Sequence, residues 1–417
     1  ARFPRELQKA RGVERPTSWD SNHGVDGDGG KTRSRGYFEN FEVEQSLPLP
    51  NLSLLELPEI VVQTRGKDGF IVYLDFKDAF YLDSSLISKN LSALKVGYPP
   101  SPLSFSGWVG FFGYEFLAAN LGIPLRSKRD LDIRDGWFGR PQTIIHLLPN
   151  RTKIESVLHN RESELENLLK FPPIHDLGTI EFPTTSQKCN LSFSEYEKIF
   201  TRAKEAILDG ESYQIKISQR HEAEVKIDPL LAFAKLNLAN PAPESFMLQN
   251  SRFSLVSCSP EIVIDRKGDR ITTRPIGGTY ERNKNEKDCS VIERFLRDPK
   301  EVAEHNMLVD LERNDLSAIC IPGSVQLSRF REVETYAHLH HLVSTIEGIA
   351  KADVGLNEIL SAMLPGGSIT GCPKIRTMEW IDQLEPCFRG PYTGSFGTLS
   401  DNGDISLNLI IRSMLVL

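Results

Sequence analysis

The second half of the chain alternates short strand-like runs with long helical runs, and this alternation limits the possible fold more than any other feature. The short runs are apolar or β-branched and are bounded by turn residues, which is typical of strands. They cover residues 245–249, 253–258, 261–265 and 270–274. Residues 299–314 instead have apolar residues at helical spacing, with Pro299 at the start. The sequence therefore predicts a mixed α and β protein.

Turn residues add detail to this pattern. Asp401-Asn402-Gly403 lies between two apolar runs and predicts a β-hairpin. Ser194 and Glu197 have the spacing of a capping box, which predicts a helix that begins there. Asp209-Gly210 predicts the end of that helix. A second helix is predicted to end before Pro365.

Charge, hydropathy and cysteine content exclude several classes of protein. The 417 residues have a formal net charge of −7, so the whole chain has no electrostatic attraction to nucleic acid, and no nucleic-acid partner is expected. No run of about 18 apolar residues is present, so we expect no membrane partner either. The six cysteines are scattered and form no C-x-x-C pair, which favours a reducing compartment and a cytoplasmic location.

Composition predicts three regions along the chain. Residues 1–36 are rich in Gly, Asp, Arg and Ser and are predicted to be a disordered tail or linker. Residues 37–180 form a predicted N-terminal region with strand-like patches. Prolines at 172, 173 and 183 mark a connection to the region 190–417, where the signals for helices and strands are sharpest.

A glycine-rich loop at residues 366–371 is the first candidate binding element. Its backbone N–H groups, with the hydroxyls of Ser368 and Thr370, could point at an anion where the loop enters a helix. The loop is not a phosphate-binding Walker A loop, because Cys372-Pro373 follows it. A plain glycine turn remains an equal alternative at this point.

Two carboxylates on the predicted helix 299–314 are candidate metal ligands. Glu301, Glu304 and His305 have i, i+3 and i+4 spacing and can share one face. Carboxylate oxygens suit Mg²⁺. The alternative is a solvated charged face. His340 and His341 are neighbours, so in a strand they face opposite ways, which makes a zinc site doubtful.

Three further segments could carry chemistry. Glu261 follows a Pro at a strand end, where an apolar setting would raise its pKa and suit a general acid. Gly277 and Gly278, followed by Thr279, allow a ligand to approach the backbone closely. Arg412 ends an apolar run and could bind a carboxylate. Each also has a purely structural alternative. Glu261 could be a surface residue at a strand edge, the glycine pair an ordinary tight turn, and Arg412 an edge residue that reaches solvent.

Taken in order, these segments resemble the chorismate-utilising enzymes, which include anthranilate, aminodeoxychorismate, isochorismate and salicylate synthases. The matching stretches are residues 210–220, 240–243, 258–261, 274–279, 303–315, 340–344, 365–374 and 411–412. The resemblance is strong over about 190–417 and weak over 37–150. The P-G-G-S-I-T-G form of residues 365–371 is most similar to the aminodeoxychorismate synthase component I branch.

The resemblance implies a fold and a reaction. The fold is α+β, with two stacked, mostly antiparallel sheets flanked by helices and the site between them. The reaction is amination of chorismate at C4 toward p-aminobenzoate and folate. Ammonia would come from glutamine through an amidotransferase partner, either a subunit or a fused domain. Mg²⁺ is the implied cofactor.

The resemblance also implies a role for each candidate residue. Glu301 and Glu304, or Glu304 and a Glu nearer the C-terminus, would bind Mg²⁺, which would hold the ring carboxylate of chorismate. The catalytic group would be Glu261 as the acid for the departing 4-hydroxyl, with His341 and Thr279 beside the leaving groups. The remaining substrate oxygens would be held by residues of three segments, namely Gly278, Thr279, Gly367, Ser368, Thr370 and Arg412.

Three departures from the family pattern keep alternatives open. The C4-aminating branch usually has a nucleophilic Lys where this chain has Gly277, whereas anthranilate synthases have a small residue there and ammonia attacks C2 directly. Relatives often have Tyr at the position of Thr398. They also continue beyond the equivalent of Leu417 with a further metal-binding Glu, so the sequence is expected to be truncated. Anthranilate synthesis, and a weakly active regulatory homologue, therefore remain alternatives.

Overall fold

The computed structural model describes residues 59–66, 68–94, 98–99, 101–169, 187–282, 286–336 and 338–417. These residues belong to one compact unit. They form nineteen strands: β1 (Ile60–Thr64), β2 (Phe70–Leu82), β3 (Gly107–Phe112), β4 (Gly136–Leu148), β5 (Arg151–Ser156), β6 (Lys188–Cys189), β7 (Gln214–Ile215), β8 (His221–Glu222), β9 (Glu244–Gln249), β10 (Ser254–Ser259), β11 (Ile262–Lys267), β12 (Arg270–Thr273), β13 (Ile276–Glu281), β14 (Gln326–Thr335), β15 (Leu339–Ile349), β16 (Gly371–Cys372), β17 (Ser395–Ser400), β18 (Ile405–Asn408) and β19 (Ser413–Val416).

Ten α-helices lie between the strands in the described parts of the chain. They are α1 (Ile87–Ala93), α2 (Tyr114–Asn120), α3 (Arg161–Leu169), α4 (Phe193–Leu208), α5 (Pro229–Ala239), α6 (Asp288–Arg297), α7 (Pro299–Ile319), α8 (Leu356–Met363), α9 (Gly367–Thr370) and α10 (Lys374–Leu384). None of them is long and apolar enough to cross a membrane. The predicted α+β class is confirmed.

Fifteen of the strands join one antiparallel sheet. Its order is β13-β15-β12-β11-β18-β17-β3-β4-β2-β1-β9-β10-β19, with β14 beside β15 and β5 beside β4. Hydrogen bonds thus connect strands of the predicted regions 37–180 and 190–417, because β1 pairs with β9 and β3 pairs with β17. The predicted tail, residues 1–36, and most of the predicted connection at 171–190 lie outside the described residues.

The sheet curls, so that strands far apart in its order face each other. The Phe246 ring of β9 stacks on the Phe396 ring of β17, with centroids 3.7 Å apart and planes 6° apart. β9 and β17 are five positions apart in the sheet order. A buried apolar cluster that includes Val61, Val109 and Ile410 fills the space between these facing parts. The resemblance implies two stacked sheets. In this structure the two stacked layers are facing parts of one continuous sheet.

Helix α7 covers the other face of the sheet and begins as the sequence predicts. Pro299 is its first residue, and the Asp298 carboxylate accepts hydrogen bonds from the N–H groups of Lys300 and Glu301. The helix runs past residue 314 to Ile319, because buried Leu316 and Ile319 continue its apolar face. Its polar Asp315 is accommodated by an ion pair with Lys374, at 2.7 Å.

The predicted start of α4 is wrong by two residues. The capping box joins Ser192 and Glu195, whose carboxylate accepts from the Ser192 N–H at 2.8 Å. Ser194 already lies inside the helix. The hairpin at 401–403 and the strands predicted between 245 and 274 are found within two residues of their predicted limits.

Candidate active site

The carboxyl group of Glu261 is buried at the turn between β10 and β11. Only 6% of the residue is exposed, and Oε1 accepts a hydrogen bond of 2.7 Å from the Ser368 hydroxyl of α9. Burial raises the pKa of Glu261 to about 7, against the opposing effects of Ser368, Arg412 and Lys216. A carboxyl group that titrates near neutral pH can give up a proton under ordinary conditions. Glu261 and the glycine-rich loop, predicted separately, are thus in direct contact.

A β-bulge in β13 places Thr279 beside His341. The register of β13 against β15 shifts between Gly277 and Thr279, and Gly278 at the shift has φ +83°, a conformation that glycine adopts without strain. The Thr279 hydroxyl lies 3.0 Å from His341 Nδ1. A side chain on Gly278 would also begin 3.2 Å from Glu301 Oε2. Glycine at 278 therefore serves the bulge and leaves room for the carboxylate.

His341 is held between Thr279 and Arg412. The Arg412 guanidinium donates to His341 Nε2 at 3.0 Å, so the ring proton must be on Nδ1, which donates to Thr279. Burial and the Arg412 charge lower the pKa of His341 to about 4, so the ring is neutral at pH 7. His340 faces the other way, toward Thr335 at 2.9 Å, as expected for neighbours in a strand.

Glu301 and Glu304 form a carboxylate pair on one face of α7. Glu301 Oε2 accepts from the Thr279 N–H at 3.3 Å. Glu304 Oε1 accepts from both the Gln214 amide and the Lys216 ammonium, each at 3.2 Å. Burial would raise the pKa of Glu304, but Lys216 and Gln214 outweigh it and hold the pKa below its ordinary value.

The carboxylate pair fits the needs of Mg²⁺ in its donor chemistry. Mg²⁺ commonly takes one or two protein carboxylates and completes its shell with water and substrate oxygens. A cation already lies against Glu304, since the Lys216 ammonium contacts it. No cluster of three or more His, Cys, Asp or Glu side chains that could hold a metal occurs in the described part of the chain.

His305 does not join the carboxylate pair, although its spacing allowed it. Its ring is fully buried, with Nδ1 donating to the Gly277 carbonyl at 3.2 Å and Nε2 accepting from the Ser344 hydroxyl at 2.7 Å. His305 thus supports the β13 bulge from behind. Sequence reasoning missed this role because i, i+3, i+4 spacing gives a shared face but not which side chain turns inward.

The glycine-rich loop is tightly packed, and part of its hydrogen-bonding capacity is used inside the loop. Thr370 is buried, and its hydroxyl donates within the loop to the Gly366 carbonyl at 3.1 Å. A Cβ on Gly367 would lie 2.0 Å from Leu311 Cδ2 of α7, so this glycine is required for packing. Of the two hydroxyls predicted to face a ligand, Ser368 reaches the Glu261 carboxyl and Thr370 is used inside the loop.

A buried ion pair that the sequence did not point to ties the loop to neighbouring elements. Arg389 contacts both carboxylate oxygens of Glu385, at 2.6 and 2.8 Å. The same guanidinium donates to the Lys216 carbonyl at 2.7 Å and approaches the Ile369 carbonyl at 3.4 Å. The backbone N–H of Arg389 donates to Glu115 of α2 at 2.7 Å. No spacing rule links residues 115, 216 and 385, so only the fold reveals this cluster.

Comparisons with known proteins point to one enzyme family. The chorismate binding enzyme family matches residues 62–416. The chain is 46% identical over 245 residues to anthranilate synthase component 1 1 of Haloarcula marismortui, a match that covers 58% of this chain and 49% of that protein. It is 32% identical over 321 residues to aminodeoxychorismate synthase component 1 of Bacillus subtilis, covering 74% of this chain and 68% of that protein. The chain thus spans about half the length of the first of these relatives.

Solved structures show the same fold. Anthranilate synthase component I from Streptococcus pneumoniae superposes with a TM-score of 0.70 at 26% identity, covering 91% of this chain and 87% of that one. The menaquinone-specific isochorismate synthase of Escherichia coli has a TM-score of 0.65 at 17% identity, covering 86% of this chain and 80% of that one. The second likeness concerns the fold alone.

Proposed function

This chain belongs to the chorismate-binding enzymes, and from that premise we propose that it aminates chorismate as the component I of a two-component synthase. Chorismate is the proposed substrate, and ammonia released from glutamine by an amidotransferase partner is the proposed nitrogen donor. The observation that carries the proposal is the buried Glu261 carboxyl, whose pKa of about 7 suits an acid for a departing hydroxyl.

Each neighbouring group has a proposed task in that step. Glu261 gives its proton to the 4-hydroxyl, which leaves as water while ammonia forms the new C–N bond. His341 takes one of the five N–H donors of Arg412, so others can bind a substrate carboxylate. Neutral His341 and Thr279 line the cleft next to it.

Mg²⁺ is the proposed cofactor, held by the carboxylate pair Glu301 and Glu304. When bound, it would supply positive charge for the ring carboxylate of chorismate. Glu304→Gln should abolish Mg²⁺-dependent turnover and leave the fold intact, as judged by circular dichroism. Near-normal turnover of this variant would remove Glu304 from the metal site.

Gly277 favours C2 as the carbon that ammonia attacks. No side chain at this position can supply the amine that a covalent route to C4 requires. A Cβ there would point at His305 and Leu308 of α7. Attack of ammonia at C2 with loss of the 4-hydroxyl as water, followed by loss of the enolpyruvyl group as pyruvate, gives anthranilate, and the 46% identity to an anthranilate synthase component supports this product.

The second candidate product is 4-amino-4-deoxychorismate, toward folate. Two observations favour it: the P-G-G-S-I-T-G loop, whose Ser368 contacts Glu261, and the match to an aminodeoxychorismate synthase component. Incubation of the protein with chorismate, Mg²⁺ and ammonium, followed by chromatography, separates the two. Anthranilate supports attack at C2, whereas p-aminobenzoate after addition of a lyase supports attack at C4.

A weakly active regulatory homologue is the remaining alternative, motivated by Gly277 and Thr398. Thermal unfolding with and without chorismate and Mg²⁺ tests it, because a ligand that binds the native state raises the melting temperature. A shift at millimolar chorismate without product would favour a regulatory role. Absence of both product and shift would reject the proposed function.

A further inference from the structure

The Lys216 ammonium contacts the Glu304 carboxylate of the candidate site. Its Nζ lies 3.2 Å from Glu304 Oε1 of the carboxylate pair. Its charge also acts on the buried Glu261, where it lowers the pKa against the effect of burial. The Lys216 charge is therefore in contact with one carboxylate of the candidate site and acts at longer range on another.

Two hydrogen bonds fix the backbone of Lys216, so only its side chain can move. The Lys216 N–H donates to the Thr370 carbonyl at 3.0 Å, and the Lys216 carbonyl accepts from the buried Arg389 guanidinium at 2.7 Å. The side chain itself is 41% exposed, which leaves it free to swing about this anchored point. Its partner Glu304 is only 27% exposed.

We propose that the Lys216 ammonium is a built-in counter-ion of the carboxylate pair, which a divalent cation must displace from Glu304 in order to bind there. Glu304 Oε1 already accepts from two donors, Lys216 and Gln214. An ammonium and a divalent cation repel each other and compete for the same lone pairs. The inference rests on the metal role in the proposed function, and it adds a residue that sets the affinity for the metal.

The simpler interpretation is an ordinary surface ion pair, and the chain offers a matched control for it. Lys300 lies 3.4 Å from Glu301, the other member of the carboxylate pair, but its side chain is 82% exposed. Exposed pairs contribute little because water and salt screen them. Removal of the charge from Lys216 should therefore change metal binding more than the same removal from Lys300.

The test is a calorimetric titration of Mn²⁺ into the whole protein without chorismate, for wild type, Lys216→Met and Lys300→Met. We expect Lys216→Met to tighten Mn²⁺ binding about three- to tenfold and Lys300→Met to change it less than about twofold. Lys216→Arg keeps the competing charge and should bind no more tightly than wild type. Adding Glu304→Gln to Lys216→Met should abolish the gain.

A second measurement needs no variant at Lys216. Addition of Mn²⁺ to the wild-type protein should speed the labelling of Lys216 by an amine-reactive reagent, detected by mass spectrometry, because displacement frees the ammonium. Unchanged or weaker binding by Lys216→Met overturns the inference, as does absence of Mn²⁺ binding in both proteins. If the wild type forms product but Lys216→Met binds Mn²⁺ with unchanged affinity, this inference alone is rejected. If Lys216→Met binds Mn²⁺ more tightly but the wild type forms no product, only the proposed function is rejected.

Discussion

At the scale of single residues, the environment of Glu261 makes a prediction about pH. An acid must be protonated to act, so kcat/KM should fall about tenfold per pH unit above about pH 7. Glu261→Gln should lower turnover by roughly 10²- to 10⁴-fold and remove this part of the pH profile. A pH–rate series on both proteins checks this, and an unchanged profile in the variant would assign the titration to another group.

The same residue should also affect stability with pH. Because burial raises the folded-state pKa from 4.5 to about 7, the stability contributed by protonated Glu261 is complete below pH 4.5 and is lost as pH rises through 7. Relative to Glu261→Gln, the wild type should therefore lose up to about 3 kcal/mol between pH 4.5 and 8. Urea unfolding at both pH values measures this, and an equal difference at the two would contradict the shift.

Gly277 gives a third prediction at this scale. A Cβ there would lie 2.9 Å from Leu308 Cδ1 and 3.1 Å from the His305 Cα, so α7 would have to move. Gly277→Ala should destabilise the fold by about 1–3 kcal/mol. Gly366→Ala is the control, since a Cβ there meets only ordinary contacts at 3.7 Å and beyond. Equal unfolding free energies for the two variants would show that α7 can shift away from residue 277 at little energetic cost.

The sequence predicts which residues carry reactive groups better than it predicts where their side chains point. Hydrogen bonds join Thr279, His341 and Arg412, and the charge of Arg412 acts on Glu261. The sequence alone does not single out Lys216, although it lies inside the matching stretch 210–220, because an isolated lysine is usually a solvated side chain. Its importance depends on α7, which is ninety residues further along the chain and is brought near only by the fold.

At the scale of elements, Arg389 links three segments that are distant in sequence, through Glu115, Lys216 and Glu385. It holds Glu385 at the end of α10 and the Lys216 carbonyl just after β7. Arg389→Met leaves Glu385 as an uncompensated buried charge, so we expect a loss of about 3–5 kcal/mol in unfolding free energy. Amide exchange in residues 366–371 should quicken as well.

Arg376 provides the comparison for that variant. It also pairs with two carboxylates, Glu211 and Glu379, but its side chain is 41% exposed. Arg376→Met should cost less than about 1 kcal/mol. The same denaturant titration measures both variants. Equal losses of unfolding free energy would contradict the idea that the burial of Arg389 makes its ion pair important for stability.

Elements were predicted well where local chemistry decides them and poorly where packing does. Pro299 begins a helix as expected, because a proline at the first helical position and a side-chain cap from Asp298 act locally. The capping box was misplaced because Ser192 and Ser194 offer similar local patterns, and only packing of α4 chooses between them. The curl of the sheet is not encoded in any one segment, since it depends on pairs such as β3 with β17.

At the scale of the whole molecule, the stacked rings of Phe246 and Phe396 test the curl of the sheet. Each substitution by Ala should cost about 3–5 kcal/mol, because both rings are fully buried. A double-mutant cycle should show a coupling of about 0.5–1.5 kcal/mol between them. Phe193→Ala, at a ring 81% exposed, should stay within about 0.5 kcal/mol of wild type. Additive losses at 246 and 396 would mean that the facing layers are not in contact.

The order of strands in the sheet also has a kinetic consequence. Val61 pairs with Leu248 and Val109 pairs with Thr398, so the ladders that close the curl join residues nearly two hundred and three hundred positions apart. Contacts of such sequence separation must first overcome loop-closure entropy, and chains rich in them fold slowly. Local helices such as α7 can form early, whereas the residues of the candidate site that lie on different strands can come together only after the distant strands have met. During synthesis and refolding, the ability to bind ligand should therefore be among the last properties that the molecule acquires.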